Sequence, residues 1–169
     1  WGVSFEGIRP DYRQLMLYDL ATGQTRSLVP DGKYRITQVG WWGTDIWFEG
    51  GDPHTSVSRS PKLYLLNPAT GDCRTFCAPD GFLGTSAIGD MSLGGGKVCA
   101  VQGDSLYAVR LQRDVTALLR FDKAGNFAPV ASYEGIACFD IIGENAYLAA
   151  FRDHRHPELY LLPRSVGEP

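Results

Sequence analysis

The chain has 169 residues, 44% of them apolar, and a formal net charge of −3, which is the length and composition of one ordinary domain with a real core. No basic stripe is present, so a nucleic-acid surface is not expected, and no apolar run reaches the ~18 residues that a membrane span needs. Glycine accounts for 20 residues, well above the usual share of ~7%, and together with 10 prolines it favours many turns and short elements over long helices.

In chain order, the N-terminal "WGVSFEGIRP" lacks the basic region and long apolar stretch of a signal peptide. It ends like a strand, because Phe5–Gly7 recurs as "FEG" at Phe48–Gly50. "LMLYDLATG" (Leu15–Gly23) and the strand-type run "QTRSLV" then read as a hairpin, with Gly23 at the positive φ that a tight turn needs. "ITQVGWWGTDIWFEGGD" predicts two strands around Gly43–Asp45. "LYLLNPATG" (Leu63–Gly71) nearly copies the first phrase, 48 positions on, and runs into "DCRTFC". "IGDMSLGGGKVCAVQGD" is expected to turn at Gly94–Gly96. "ALLRFDKAG", ending at Gly125, leads into "NFAPVAS". "IACFDIIGENAYLAAFRD" turns at Gly143–Asn145, and a last version of the phrase, "LYLLPRSVG", ends at Gly167. Apolar and polar residues alternate along these runs, the period of half-buried strands, and no stretch carries a sustained helical period with caps.

Two hairpins, or four antiparallel strands, per repeat of about 42 to 54 residues is the pattern of a β-propeller blade. The expected fold is therefore all-β: a β-propeller segment of about four blades, each a four-stranded antiparallel sheet, incomplete at both ends. The blades divide at 1–32, 33–80, 81–133 and 134–169, with three strands in the first and last and four in each of the others. Blade faces left open lack a neighbour, so self-association through them is expected of the isolated chain. Asp52, Asp104 and Asp153 align as one recurring position that terminates the second strand of each inner hairpin.

Single residues say less about chemistry. Cys73, Cys77, Cys99 and Cys138 have no zinc-finger spacing, and two of them sit in apolar runs where a free thiol behaves as a small hydrophobe. Reduced thiols and a cytoplasmic location are expected. Trp41, Trp42 and Trp47 could make a stacking platform. Core packing is the expected role for Trp47 and for one of the adjacent pair, whose side chains face opposite ways on a regular strand. In "RDHRHPE" (Arg152–Glu158) the histidines lack a third ligand, so no metal and no cofactor is expected. "GVSFE" at Gly2, "GTSAI" at Gly84 and "GDSLY" at Gly103 each lack the last glycine of a nucleophile elbow. No catalytic residue is assigned.

The segment "DMSLGGGKVCAVQGD" resembles the inner hairpin of TolB-like and prolyl-oligopeptidase-type propellers, and "LMLYDLATGQTRSL" and "LYLLNPATGDCRTF" resemble the outer hairpin of the same families. "AYLAAFRDHRHPELYLLPRS" is similar to the acylaminoacyl-peptidase branch, in which a short charged loop runs into "P-E-L-Y". Two departures stand out: "SLGGG" replaces Ser-Pro-Asp-Gly, and the connection from Gly103 to Val115 is longer than usual. The resemblance implies a non-catalytic N-terminal propeller of a serine peptidase. It would gate substrate access and dock an α/β-hydrolase domain carried elsewhere in the parent chain, with a peptide as the parent enzyme's substrate. Arg152, Asp153 and His154 would lie in a loop that contacts substrate or the hydrolase domain. The alternative is a stand-alone TolB-like propeller serving as a binding scaffold.

Overall fold

The structure is a computed structural model that describes residues 14–54, 60–84, 96–112, 115–153 and 156–163. Those residues contain fourteen strands and no helix. The chain divides into two compact units, Trp1–Pro79 and Asp80–Pro169.

The first unit holds two sheets. Strands β1 (Met16–Tyr18) and β2 (Thr25–Ser27) form a short hairpin. Strands β3 (Arg35–Trp42), β4 (Asp45–Gly51), β5 (Lys62–Leu66) and β6 (Cys73–Cys77) form a four-stranded meander in that order. Strand β4 is covered on both faces, with Ile46 through Gly51 all buried, as befits an inner strand of a packed sheet. Ile36, Ile46, Phe48 and Leu66 form its core with Val29, and Tyr34 and Tyr64 pack against them. The Phe48 and Tyr64 rings stack at 4.9 Å, and Tyr34 meets Phe48 edge-on at 5.3 Å. The Arg26 guanidinium donates to the Pro68 carbonyl and ties the small hairpin to the β5–β6 turn.

In the second unit, β7 (Phe82–Leu83), β8 (Cys99–Gln102), β9 (Ser105–Gln112), β10 (Val115–Phe121) and β11 (Phe127–Tyr133) make one antiparallel sheet. Strands β12 (Gly135–Ile142), β13 (Asn145–Phe151) and β14 (Glu158–Pro163) make another. Along β13 every second residue, Ala146, Leu148 and Ala150, is fully buried. These pack with Ile136 and Phe139 of β12 against Tyr107, Val109 and Leu118 of the neighbouring sheet. Each fully buried leucine contributes ~1.5–3 kcal/mol.

The repeated nine-residue phrase is a strand plus a side-chain-capped turn. Asp19 Oδ1 accepts the backbone N–H groups of Ala21 and Thr22 at 2.8 and 3.0 Å. Asn67 Oδ1 accepts those of Ala69 and Thr70 at 2.9 and 3.2 Å. Gly23 and Gly71 then take φ of 70° and 80°, and their N–H groups return to the carbonyls of Asp19 and Asn67. The turn after β10 is one residue tighter: Asp122 Oδ1 accepts the Asn126 N–H at 2.9 Å, and the N–H of Gly125, three residues on, returns to the Asp122 carbonyl at 3.1 Å.

The inner hairpins differ from expectation at one place. Strands β3 and β4 turn at Gly43, and β12 and β13 at Gly143. Strands β8 and β9 turn at Gly103–Asp104, with Gln102 opposite Ser105, whereas Gly94 and Gly95 of the expected turn lie outside the described residues. Gly103 takes φ 56°, which suits a two-residue hairpin turn. Asp104 therefore lies in a turn, whereas Asp52 and Asp153 follow second strands, and the three do not share a position. The apparently long connection from Gly103 to Val115 is largely β9 itself.

The registers explain the misalignment. One residue is bulged out between Ile36 and Gln38 on β3, and one between Ile136 and Cys138 on β12. The corresponding point in the β7–β8–β9 sheet lies opposite Val109. Gly84 N–H donates to the Val109 carbonyl and Val109 N–H to the Val98 carbonyl, each at 2.8 Å. In this sheet the break between Gly84 and Val98 falls where the other two sheets have a single bulged residue, and β7 and β8 lie on either side of it along β9.

Candidate functional site

A concave polar surface lies in the second unit, where the β8–β9 and β12–β13 turns come together. Gly103 and Gly143 let both strands reverse in two residues, which brings Gln102 of one hairpin against the other: its Nε2 donates to the Gly143 carbonyl at 3.4 Å. The Gln102 Oε1 atom is buried and has no hydrogen-bond partner among the described residues. Ser105 and Tyr107 on β9 and Arg120 on β10 project on one side of this junction, because Arg120 sits opposite Tyr107 in the register. With Asp104 and Glu144 from the turns they line a depression of about 440 Å³.

The depression pairs one guanidinium with two carboxylates around hydroxyl and amide groups, an arrangement suited to holding a small polar or zwitterionic group. It lacks the parts for nucleophilic chemistry. Ser105 opens an antiparallel strand rather than a strand-turn-helix elbow, and no histidine is among the lining residues. Its signal in the sequence was the Gly103–Asp104 dipeptide between two alternating runs, which the tandem glycines upstream masked.

The charged loop after β13 is a different place. Asp153 adopts φ 54°, a left-handed turn conformation that aspartate tolerates better than most residues. Arg152 Nε lies 3.8 Å from Asp153 Oδ2, with both side chains largely exposed, so the pair contributes little energy. His154 lies outside the described residues, and His156 is exposed. Arg152 and Asp153 are thus brought together, on the surface. Among the described residues no group of three His, Cys, Asp or Glu side chains is placed to hold a metal ion.

Other candidates belong to packing. Trp42 and Trp47 are buried and Trp41 is exposed, following the strand alternation, so the three do not form one stacking surface. All four cysteines are free thiols. Burial pushes the Cys73 thiol up, against a smaller opposite effect of its hydrogen bond with Tyr34, which keeps it a poor nucleophile. Burial also raises the Tyr34 hydroxyl, as does Cys73 beside it. Glu49 is buried on β4 and accepts a hydrogen bond from Thr37, the bulged residue of the facing strand. Asp140 is held below the ordinary carboxylate value by the Lys97 ammonium, whose Nζ lies 2.8 Å from Oδ1.

No family model matches the sequence, and no curated protein matches it. Among solved structures the chain is similar to a puromycin hydrolase, a serine-to-alanine mutant crystallised with a ligand designated PGG. The TM-score is 0.63 and the identity 17%, over 86% of this chain and 21% of that one. The chain thus spans about one-fifth of the length of the structure it matches. The likeness, together with the successive antiparallel meanders, shows the fold: an all-β β-propeller segment of about four blades.

Proposed function

We propose that the chain is a non-catalytic propeller portion of a larger prolyl-oligopeptidase-like serine peptidase, in which it restricts substrate entry and docks an α/β-hydrolase domain. The observation that carries this reading is the similarity over 86% of the chain to one-fifth of a hydrolase. The outer-hairpin phrases ending at Gly23 and Gly71 and the charged loop from Arg152 into "PELY" add to it. On this reading the parent enzyme acts on short or acyl-capped peptides, and Arg152, Asp153 and His154 face the substrate or the hydrolase domain. The four free thiols support a cytoplasmic location.

A second reading, a stand-alone TolB-like propeller that binds a small ligand, is favoured by one feature: the depression lined by Gln102, Arg120 and Glu144. The experiment that separates the two is hydrolysis of a fluorogenic acyl-peptide by the 169-residue chain and by the complete gene product. Turnover by the complete product alone supports the peptidase reading. No turnover by either moves the assignment to the binding scaffold, and turnover by the 169-residue chain itself overturns both.

A further inference from the structure

Where the two sheets of the second unit face each other, the contact changes character along its length. Val109 of β9 and Leu118 of β10 pack against Ile136 and Leu148 in the core. Towards the β8–β9 turn the same face carries Gln102, Ser105 and Arg120, since Gln102 lies opposite Ser105 and Arg120 opposite Tyr107. Covering an apolar sheet does not call for three polar side chains at neighbouring inward positions.

These groups are also left short of partners. Folding removes Gln102 Oε1 from water, and no described residue donates to it, which is a net cost to the fold. The amide is held by one bond, from Nε2 to the Gly143 carbonyl, and that bond is long at 3.4 Å. A small rotation therefore turns Oε1 to a donor placed in the depression. Arg120 and Asp104, both exposed, make no ion pair among the described residues. The planar guanidinium presents a fork that fits a carboxylate. Gln102 Oε1 and the Asp104 carboxylate are acceptors, and an ammonium brings three donors to them. One carboxylate and one ammonium a short distance apart are the two ends of an α-amino acid.

We propose that the depression binds a free α-amino acid, with its carboxylate on Arg120 and its ammonium shared by Gln102 Oε1 and Asp104. The site is separate from the charged loop after β13. Glu144 precedes that strand and Arg152 follows it, which puts them about 25 Å apart along the chain direction. The inference deepens the ligand-binding part of the second reading above and rests on it.

Titration of the chain at pH 7 with L-alanine, followed by amide resonances, tests it. Saturable shifts are expected at Gly103, Ser105 and Glu144. N-acetyl-L-alanine, which lacks the ammonium, and L-alaninamide, which lacks the carboxylate, should each bind at least about tenfold more weakly. Arg120→Gln should weaken L-alanine by a similar factor and leave L-alaninamide unchanged, a selectivity that a merely structural arginine would not show. Gln102→Leu removes the orphaned acceptor, so it should weaken L-alanine without lowering the thermal midpoint. L-alanine binding that is indifferent to Arg120→Gln overturns the proposal. Saturable binding of N-acetyl-L-alanine alone overturns the amino acid as ligand and leaves the ligand-binding reading standing. No saturable shift with any of the three compounds overturns both.

Discussion

At the scale of single residues, the repeated phrase is a hydrogen-bonding device. Asn67 and Asp19 each satisfy two backbone N–H groups that the turn would otherwise leave to solvent, and a glycine four residues on accepts the left-handed conformation. Asn67→Ala should cost about 1 kcal/mol and Gly71→Ala, at φ 80°, about 1–2 kcal/mol, both read from urea unfolding. Gly96 answers to a different constraint. A methyl group there would lie 1.9 Å from Cys138 Cβ, so Gly96→Ala should destabilise by about 1–3 kcal/mol, and Cys138→Gly in the same chain should recover much of the loss. Next to it, Lys97 donates to Asp140 and lowers that carboxyl from its ordinary 3.8. A carboxyl lowered in the folded state binds its proton more readily in the unfolded one. The stabilisation is therefore complete above the ordinary value and is lost as pH falls through the lower, folded value. Because the pair is about half exposed, it amounts to no more than about 1 kcal/mol. Stability measured from about pH 4 down to pH 2 should fall less steeply in Lys97→Gln than in wild type.

At the scale of elements, the informative feature is the bulge on the first strand of the sheet. Thr37 and Ala137 are the single extra residues on β3 and β12, and beside β9 the same position falls between Gly84 and Val98. Bulges interrupt the ladder locally and bend the strand that carries them, and the cost of lengthening a connection at such a point grows only slowly with its length. The returning limb is fastened to the adjacent sheet, since the Phe139 N–H donates to the Lys97 carbonyl at 2.9 Å. Removing residues 85–95 leaves two residues, Gly96 and Lys97, between Gly84 and Val98. The shortened chain is expected to fold with the same strand signal in circular dichroism and a midpoint within about 10 °C of wild type. Loss of the cooperative transition would show that the insertion is needed for the sheet.

At the scale of the whole molecule, the chain is two compact units of stacked antiparallel meanders, each sheet depending on a neighbour to cover an apolar face. The polar groups that gather in the second unit, Gln102, Asp104, Arg120 and Glu144, offer recognition without a nucleophile and base in contact. The 169-residue chain is accordingly expected to release no fluorophore from an acyl-peptide above the buffer rate. Ligand binding at the depression is checked separately: Arg120→Ala should leave stability within about 0.5 kcal/mol of wild type, as for other exposed positions, and abolish any shift of nearby amide resonances on adding a zwitterionic amino acid.

What the sequence determined by itself was local. Alternation gave the strands their type, the Asp/Asn-to-Gly spacing set the outer turns, and Trp41, Trp42 and Trp47 divided between solvent and core as strand parity requires. The tertiary structure decided what depends on hydrogen-bond register between distant segments. "GDMSLGGGK" reads locally as half a hairpin, yet β9 has its partners on either side of that stretch, at Leu83 and Cys99. The depression likewise joins Gln102 to Glu144, 42 positions apart, through two sheets packed face to face. Turn chemistry acts over four or five residues and can be read along the chain. Register and packing are set by burying apolar faces against each other, and they exist only once the sheets have met.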